Sequence, residues 1–87
     1  MSVRSPSTVD RQIGKKIRIR RRVCRLTQQE LADKLGISPQ QLQKYEAGAN
    51  RIPAGRLFDV AQIVNTRIED FFPPQVESQP QVLWAIP

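Results

Sequence analysis

Residues 27–48 read TQQELADKLGISPQQLQKYEAG, and the two helix starts inside that stretch decide the fold. Thr27 followed three residues later by Glu30 is a capping box: the hydroxyl accepts from the backbone N–H of Glu30 while the Glu30 carboxylate accepts from the N–H of Thr27. Ser38 and Gln41 repeat the pattern, with Pro39 at the first helical position, where a missing N–H costs nothing. Two starts this close encode two separate short helices, about residues 28–35 and 39–47. Gly36 supplies the positive φ of a helix end followed by a sharp turn, Ile37 returns an apolar side chain to the core, and Gly48 stops the second helix. Leu31, Ala32 and Leu35 face inward from the first, Leu42 and Tyr45 from the second.

Working outward, residues 1–7 are polar, contain Pro6 and read as a flexible N-terminus. Thr8 or Asp10 is placed to cap a helix running to about Val23, in which Ile13, Ile17, Arg21 and Cys24 share one stripe. Arg21 is the oddity there. A basic residue on a core-facing stripe calls for an internal partner, and Glu46, near the end of the third helix, is the suitable one. The alternative has the Arg21 stem run along apolar surface and its head reach water. After a loop over residues 49–53, a fourth helix spans about Ala54 to Val64 with Leu57, Phe58, Ala61 and Val64 at core spacing. A fifth short helix is expected from Thr66, where Thr66 and Glu69 form a third capping box, Ile68, Phe71 and Phe72 give apolar cover, and Pro73-Pro74 prevents continuation. The expected fold is all-α, a compact five-helix bundle over residues 8–72, followed by a Pro-containing tail over 73–87. The tail carries Val82, Leu83, Trp84 and Ile86. Packing back on the bundle, adding to a second subunit and staying disordered all remain open for it.

At 87 residues the chain holds one domain at most. With one cysteine and no histidine, it has no disulfide framework, no zinc site and no His-based acid or base, so neither an enzyme nor a bound cofactor is expected. Cys24 reads as a small core residue. No stretch has signal-peptide character or the roughly 18 apolar residues of a membrane span, and a cytoplasmic protein without a membrane partner is expected. The net charge is +6, unevenly spread: residues 1–56 hold 13 of the 14 basic groups and 4 of the 8 acids, a net +9, whereas residues 57–87 hold 1 and 4, a net −3. One strongly positive region on a small domain fits a polyanion, whose condensed counterions are released on binding.

Two short helices joined by a Gly-containing turn form the arrangement that lays its second helix in the major groove of double-stranded DNA. With Leu42, Tyr45 and Glu46 on one side of that helix, Gln40, Lys44 and Ala47 fall on the other, with Gln41 and Gln43 at the flanks. Gln can donate to and accept from adenine, and Lys can donate to guanine. Gln40 and Lys44, one turn apart, are the best base readers. Pro39 offers an apolar contact, and Gln41 is divided between a base and its own cap. For phosphates, Gln28 sits at the exposed N–H groups of the second helix, Asn50 and Arg51 lie just past the third, and Gln43 flanks it. Some of Arg18, Arg22 and Arg25 add to these from the first helix.

These residues resemble the lambda-repressor-like, Cro-type helix-turn-helix family over about Val9 to Phe72. The Thr-Gln opening at 27–28, the Ala-x-x-Leu-Gly turn at 32–36 and the Tyr-Glu-x-Gly ending at 45–48 occur in order. The resemblance implies a five-helix domain that binds operator DNA as a homodimer. It also implies Gln28 on phosphate, Pro39, Gln40 and Lys44 along the base-contacting positions, and Arg21 paired to Glu46. Its dimer surface would be the fourth to fifth helix region with the tail, in line with the surplus of apolar residues after Ile63. The expected function is a transcriptional regulator, in particular a repressor on a palindromic operator. The alternative is an antitoxin or other interaction module whose main partner is a protein docked through the tail. Arg25 departs from the family, which commonly has glycine at the turn after the first helix. A non-Gly residue there either takes a costly left-handed conformation or leaves the helix by another route.

Overall fold

The computed structural model describes residues 7–74. In order these form α1 (Thr8–Val23), α2 (Gln28–Leu35), α3 (Pro39–Ala47), α4 (Ala54–Ile63) and a single 3-10 turn, Ile68–Phe71. The expected boundaries of the second and third helices are the observed ones. The apolar tail residues Val82, Leu83, Trp84 and Ile86 lie outside the described residues.

The five-helix expectation is corrected to four helices and one 3-10 turn. Thr66 does not act as a cap: its hydroxyl donates to Asp70 Oδ2 at 3.3 Å, and Arg67 opens the turn with no side-chain cap. The turn is closed by the short-range bonds Asp70 N–H to Arg67 O and Phe72 N–H to Glu69 O. Phe72 then goes extended at φ −91°, ψ 152°, the conformation that a following proline imposes. A helix needs a further turn to begin its own bonds, and Pro73 comes too early to allow it.

Helix α1 is capped by Ser7, one residue before Thr8 and three before Asp10, the two expected caps. Ser7 Oγ accepts from Asp10 N–H at 3.2 Å and Asp10 Oδ2 accepts from Ser7 N–H at 2.7 Å, so Asp10 is the returning half of a capping box. At the other end Cys24 leaves the helix half-buried against the core rather than inside it, and its thiol donates to Val64 O at 3.3 Å. Arg20 Nη2 donates to the same carbonyl at 3.0 Å, tying the end of α4 to α1.

Every α-helix ends the same way. The residue after the last turn turns left-handed and donates three residues back, and its successor donates five residues back: Arg25 and Leu26 after α1, Gly36 and Ile37 after α2, Gly48 and Ala49 after α3, Asn65 and Thr66 after α4. This is the Schellman closure, which satisfies carbonyls the helix would otherwise leave bare. Arg56 Nη1 takes a further one, Leu35 O, at 2.9 Å.

Ile13, Ile17, Leu31, Leu35, Leu42, Leu57, Val60, Val64 and Phe71 make one core. Phe71 is buried at its edge while the neighbouring Phe72 is 43% exposed. Against this core α1 crosses α3 closely enough that only glycine fits at the crossing. A Cβ on Gly14 would lie 2.6 Å from Glu46 O and closer still to Tyr45 O. Gly48 has the same role beside Arg11, whose Cα would stand 2.6 Å from an added Cβ.

Candidate nucleic-acid interface

Helix α3 has a buried side and an open one. Leu42, Tyr45 and Glu46 are buried, whereas Gln40, Gln43, Lys44 and Ala47 are exposed and Pro39 and Gln41 half-buried. Its start is held by Ser38, whose hydroxyl accepts from Gln41 N–H at 3.1 Å. Only this half of the Ser38–Gln41 box is formed, so the cap does not engage the Gln41 side chain. Pro39, Gln40, Gln41 and Lys44 are thus carried together on one short helix whose inner side is locked into the core.

The lock is largely polar. Arg21 donates from Nε to Glu46 Oε2 at 2.7 Å and from Nη2 to Glu46 Oε1 at 3.1 Å, a two-point fork, and its Nη1 donates to Leu26 O at 2.9 Å. Both side chains are under a tenth exposed. A buried carboxylate needs every lone pair answered, and Gln28 Nε2 supplies one more donor to Glu46 Oε1 at 3.0 Å. The structure therefore brings Arg21, Glu46 and Gln28 into one network. Gln28 is held by α3 with one amide hydrogen used, leaving its second one and the N–H groups at the start of α2 for an anion.

Around Gln28 opens a cleft of about 550 Å³ between α1, α2 and α3. Arg18, Arg22, Thr27, Gln28 and Gln43 line it, and the Arg21–Glu46 pair forms part of its wall. Gln28 and Gln43 share this cleft; Asn50 and Arg51 do not line it. Both lie exposed beyond Gly48, and Arg51 Nε donates to Asp10 Oδ2 at 3.1 Å. The Ser7 N–H above all, against a desolvation that pushes the other way, and after it Arg51, hold the Asp10 carboxyl below its ordinary 3.8. A phosphate at Arg51 would compete with Asp10. Among the described residues no cluster of His, Cys, Asp and Glu suits a metal ion, and no helix is long and apolar enough to cross a membrane.

Two features that shape this site were not read from the sequence: the close crossing at Gly14 and the pairing of Asp10, expected only as a cap, with Arg51. Gly14 carried a signal, an isolated glycine inside a helical pattern, which often marks close packing. The Asp10–Arg51 contact joins residues 41 apart in the chain and left no local trace.

A helix-turn-helix with a buried inner face, an open polar outer face and a basic cleft beside it defines a DNA-binding domain by its build. Residues 15–71 match the helix-turn-helix family HTH_3, and the chain belongs to that family of lambda-repressor/Cro-like domains. An uncharacterized HTH-type transcriptional regulator of Sinorhizobium medicae (strain WSM419) is 42% identical over 69 residues, 79% of this chain and 50% of that protein. An uncharacterized transcriptional regulator in the ATPase CF(0) region of Rhodospirillum rubrum is 47% identical over 64 residues, 74% of this chain and 59% of that protein. The chain thus spans about half the length of the curated relatives it matches.

Among solved structures the fold matches the clp gene regulator ClgR from C. glutamicum, with a TM-score of 0.70 and 23% identity over 75% of this chain and 84% of that one. It also matches the restriction-modification controller protein C.AhdI from Aeromonas hydrophila, with a TM-score of 0.67 and 19% identity over 71% and 94%. Hydroxypropylphosphonic acid epoxidase from S. wedmorenis contains a similar bundle, with a TM-score of 0.73 and 21% identity, but this covers 39% of its chain. These likenesses are of fold alone.

Proposed function

We propose that this chain is the sequence-reading part of a cytoplasmic transcriptional regulator, a repressor that occupies a two-fold symmetric DNA operator as a homodimer. The reading rests above all on the exposed row Gln40, Gln43 and Lys44 on a helix whose opposite side is buried. Gln40 and Lys44 read bases, Gln41 and Pro39 add flanking contacts, and Gln28, Gln43, Asn50 and Arg51 hold phosphates. The DNA-binding unit is residues 8–72. The names of the two bacterial relatives, both transcriptional regulators, and of the solved regulators ClgR and C.AhdI support the regulatory role. Exposure of Phe58 (52%) on α4 and of Phe72 after the 3-10 turn supports a dimer face there, since two large aromatic rings left in water favour burial against a second copy.

Selection from a random DNA pool is the test. The expected product is a palindrome with half-sites about one helical turn, roughly 34 Å, apart. Gln40→Ala and Lys44→Ala should change which bases are selected, each worth about 1–3 kcal/mol of discrimination, and Arg51→Ala should weaken binding to all sequences alike. Recovery of no enriched sequence, or three variants with one and the same effect, refutes the assignment.

A further inference from the structure

Four helices end in the same closure, and three of the four left-handed positions hold residues suited to it: Gly36, Gly48 and Asn65. The fourth, at φ 61°, is Arg25. Its side-chain Cβ crowds the backbone there, which glycine avoids and asparagine tolerates. Sequence offers the chain an easy remedy, since a single Arg25→Gly change would relieve the strain without altering either hydrogen bond of the turn, Arg25 N–H to Arg22 O at 2.9 Å and Leu26 N–H to Arg21 O at 3.0 Å.

The position of that arginine supplies a reason for its presence. Arg18 and Arg22 stand one turn apart on α1, and Arg25 follows just past the helix end, in the turn leading to Thr27 and Gln28. Arg18 and Arg22 line the cleft that Gln28 and Gln43 also line. All three are exposed, and none has a side-chain hydrogen bond or ion pair among the described residues. Three like charges within eight residues of chain repel one another in the free protein, and the third adds backbone strain. Both costs fall on folding, and both would be offset by a polyanion with spaced charges passing the end of α1 and the turn after it.

We infer that Arg25 is a phosphate-contacting residue for the backbone of double-stranded DNA, held in a strained conformation at the expense of stability. This rests on the DNA-binding function proposed above. It deepens that function by adding a contact at the α1–α2 turn to those at α2 and α3. Arg25 positions the duplex and carries no base preference.

The experiment measures thermal unfolding of the 87-residue chain together with its binding to a mixed-sequence DNA duplex across a salt series, for the unaltered protein, Arg25→Gly, Arg25→Asn and Arg25→Lys. Arg25→Gly should raise Tm by roughly 4 °C and lower the slope of log affinity against log salt by about one per bound protomer. A slope of about 0.9 per phosphate makes that loss roughly fivefold near 0.15 M salt. Arg25→Asn should lose the same affinity with a smaller gain in Tm, and Arg25→Lys should keep both slope and Tm. Arg25→Gly with unchanged affinity and slope overturns the inference while leaving the DNA-binding function intact. A fall in Tm overturns the claim that stability is given up. An unaltered protein with salt-independent DNA binding overturns both.

Discussion

Two ion pairs tie α1 to the α3 region, and they differ in almost everything except the two segments they join. Arg21–Glu46 is buried, with side chains 8% and 3% exposed, forked at two points and joined by Gln28. Arg51–Asp10 is a contact whose arginine is 46% exposed. On α1, Asp10, Gly14 and Arg21 stand at spacings of four and seven, so one face meets the α3 region at three successive levels: the outer pair, the glycine crossing and the inner pair. The lesson is that the inner pair sets where α3 sits, because neither charge has water to fall back on, while the outer pair adds trim to an arrangement already made. A buried pair is weak evidence for stability but strong evidence for a fixed geometry here, since its fork permits few relative positions of the two helices.

The largest expected effect comes from breaking the inner pair. Arg21→Met leaves Glu46 buried with Gln28 alone and should cost about 3–5 kcal/mol in urea unfolding, whereas adding Glu46→Leu should recover much of it, because the stranded charge is then gone. A single-variant loss no greater than that of Arg51→Ala would erase the contrast between the pairs.

At the middle level, Gly14→Ala should destabilise by about 1–3 kcal/mol as the new methyl pushes against the Tyr45 and Glu46 carbonyls. Alanine alone would favour the helix by about 1 kcal/mol, so the sign of the change in Tm tells whether crossing distance or helix propensity dominates. A higher Tm would mean that α1 and α3 can separate without loss.

The outer pair carries the smallest effect. Asp10→Asn or Arg51→Ala should each cost under about 1 kcal/mol. Because the folded Asp10 carboxyl titrates below its ordinary 3.8, its contribution is fully present above that value and is lost as pH falls through the lower folded one. Asp10→Asn should therefore reduce stability at pH 7 and narrow its distance from the parent protein in acid. Equal gaps at both pH values would show that the charge does nothing.

Legibility in the chain followed the range of each interaction. The Thr27–Glu30 box, Gly36 and Gly48 act within five residues, and α2 and α3 could be bounded from them. The last element shows the limit of the same rule. Thr66 and Glu69 have the right spacing for a cap, but the Asp70 carboxylate takes the Thr66 hydroxyl and Pro73 stops the chain before an α-turn closes. On the outer side of α3, residue type and wheel position were enough to name Gln40 and Lys44, because an exposed residue needs no partner to be placed. Arg51 is different, since its contact with Asp10 depends on where the first turn of α1 comes to lie.

By itself the sequence determined the all-α character, the bounds, caps and stops of α2 and α3, and the basic character of residues 1–56, all consequences of neighbours a few bonds apart and of composition. Only the tertiary structure decided how close α1 comes to α3, that Gln28 is held by Glu46, and that Arg51 meets Asp10. Those depend on whether distant atoms can occupy the same few ångströms, and steric fit between remote segments is recorded nowhere until the chain has packed.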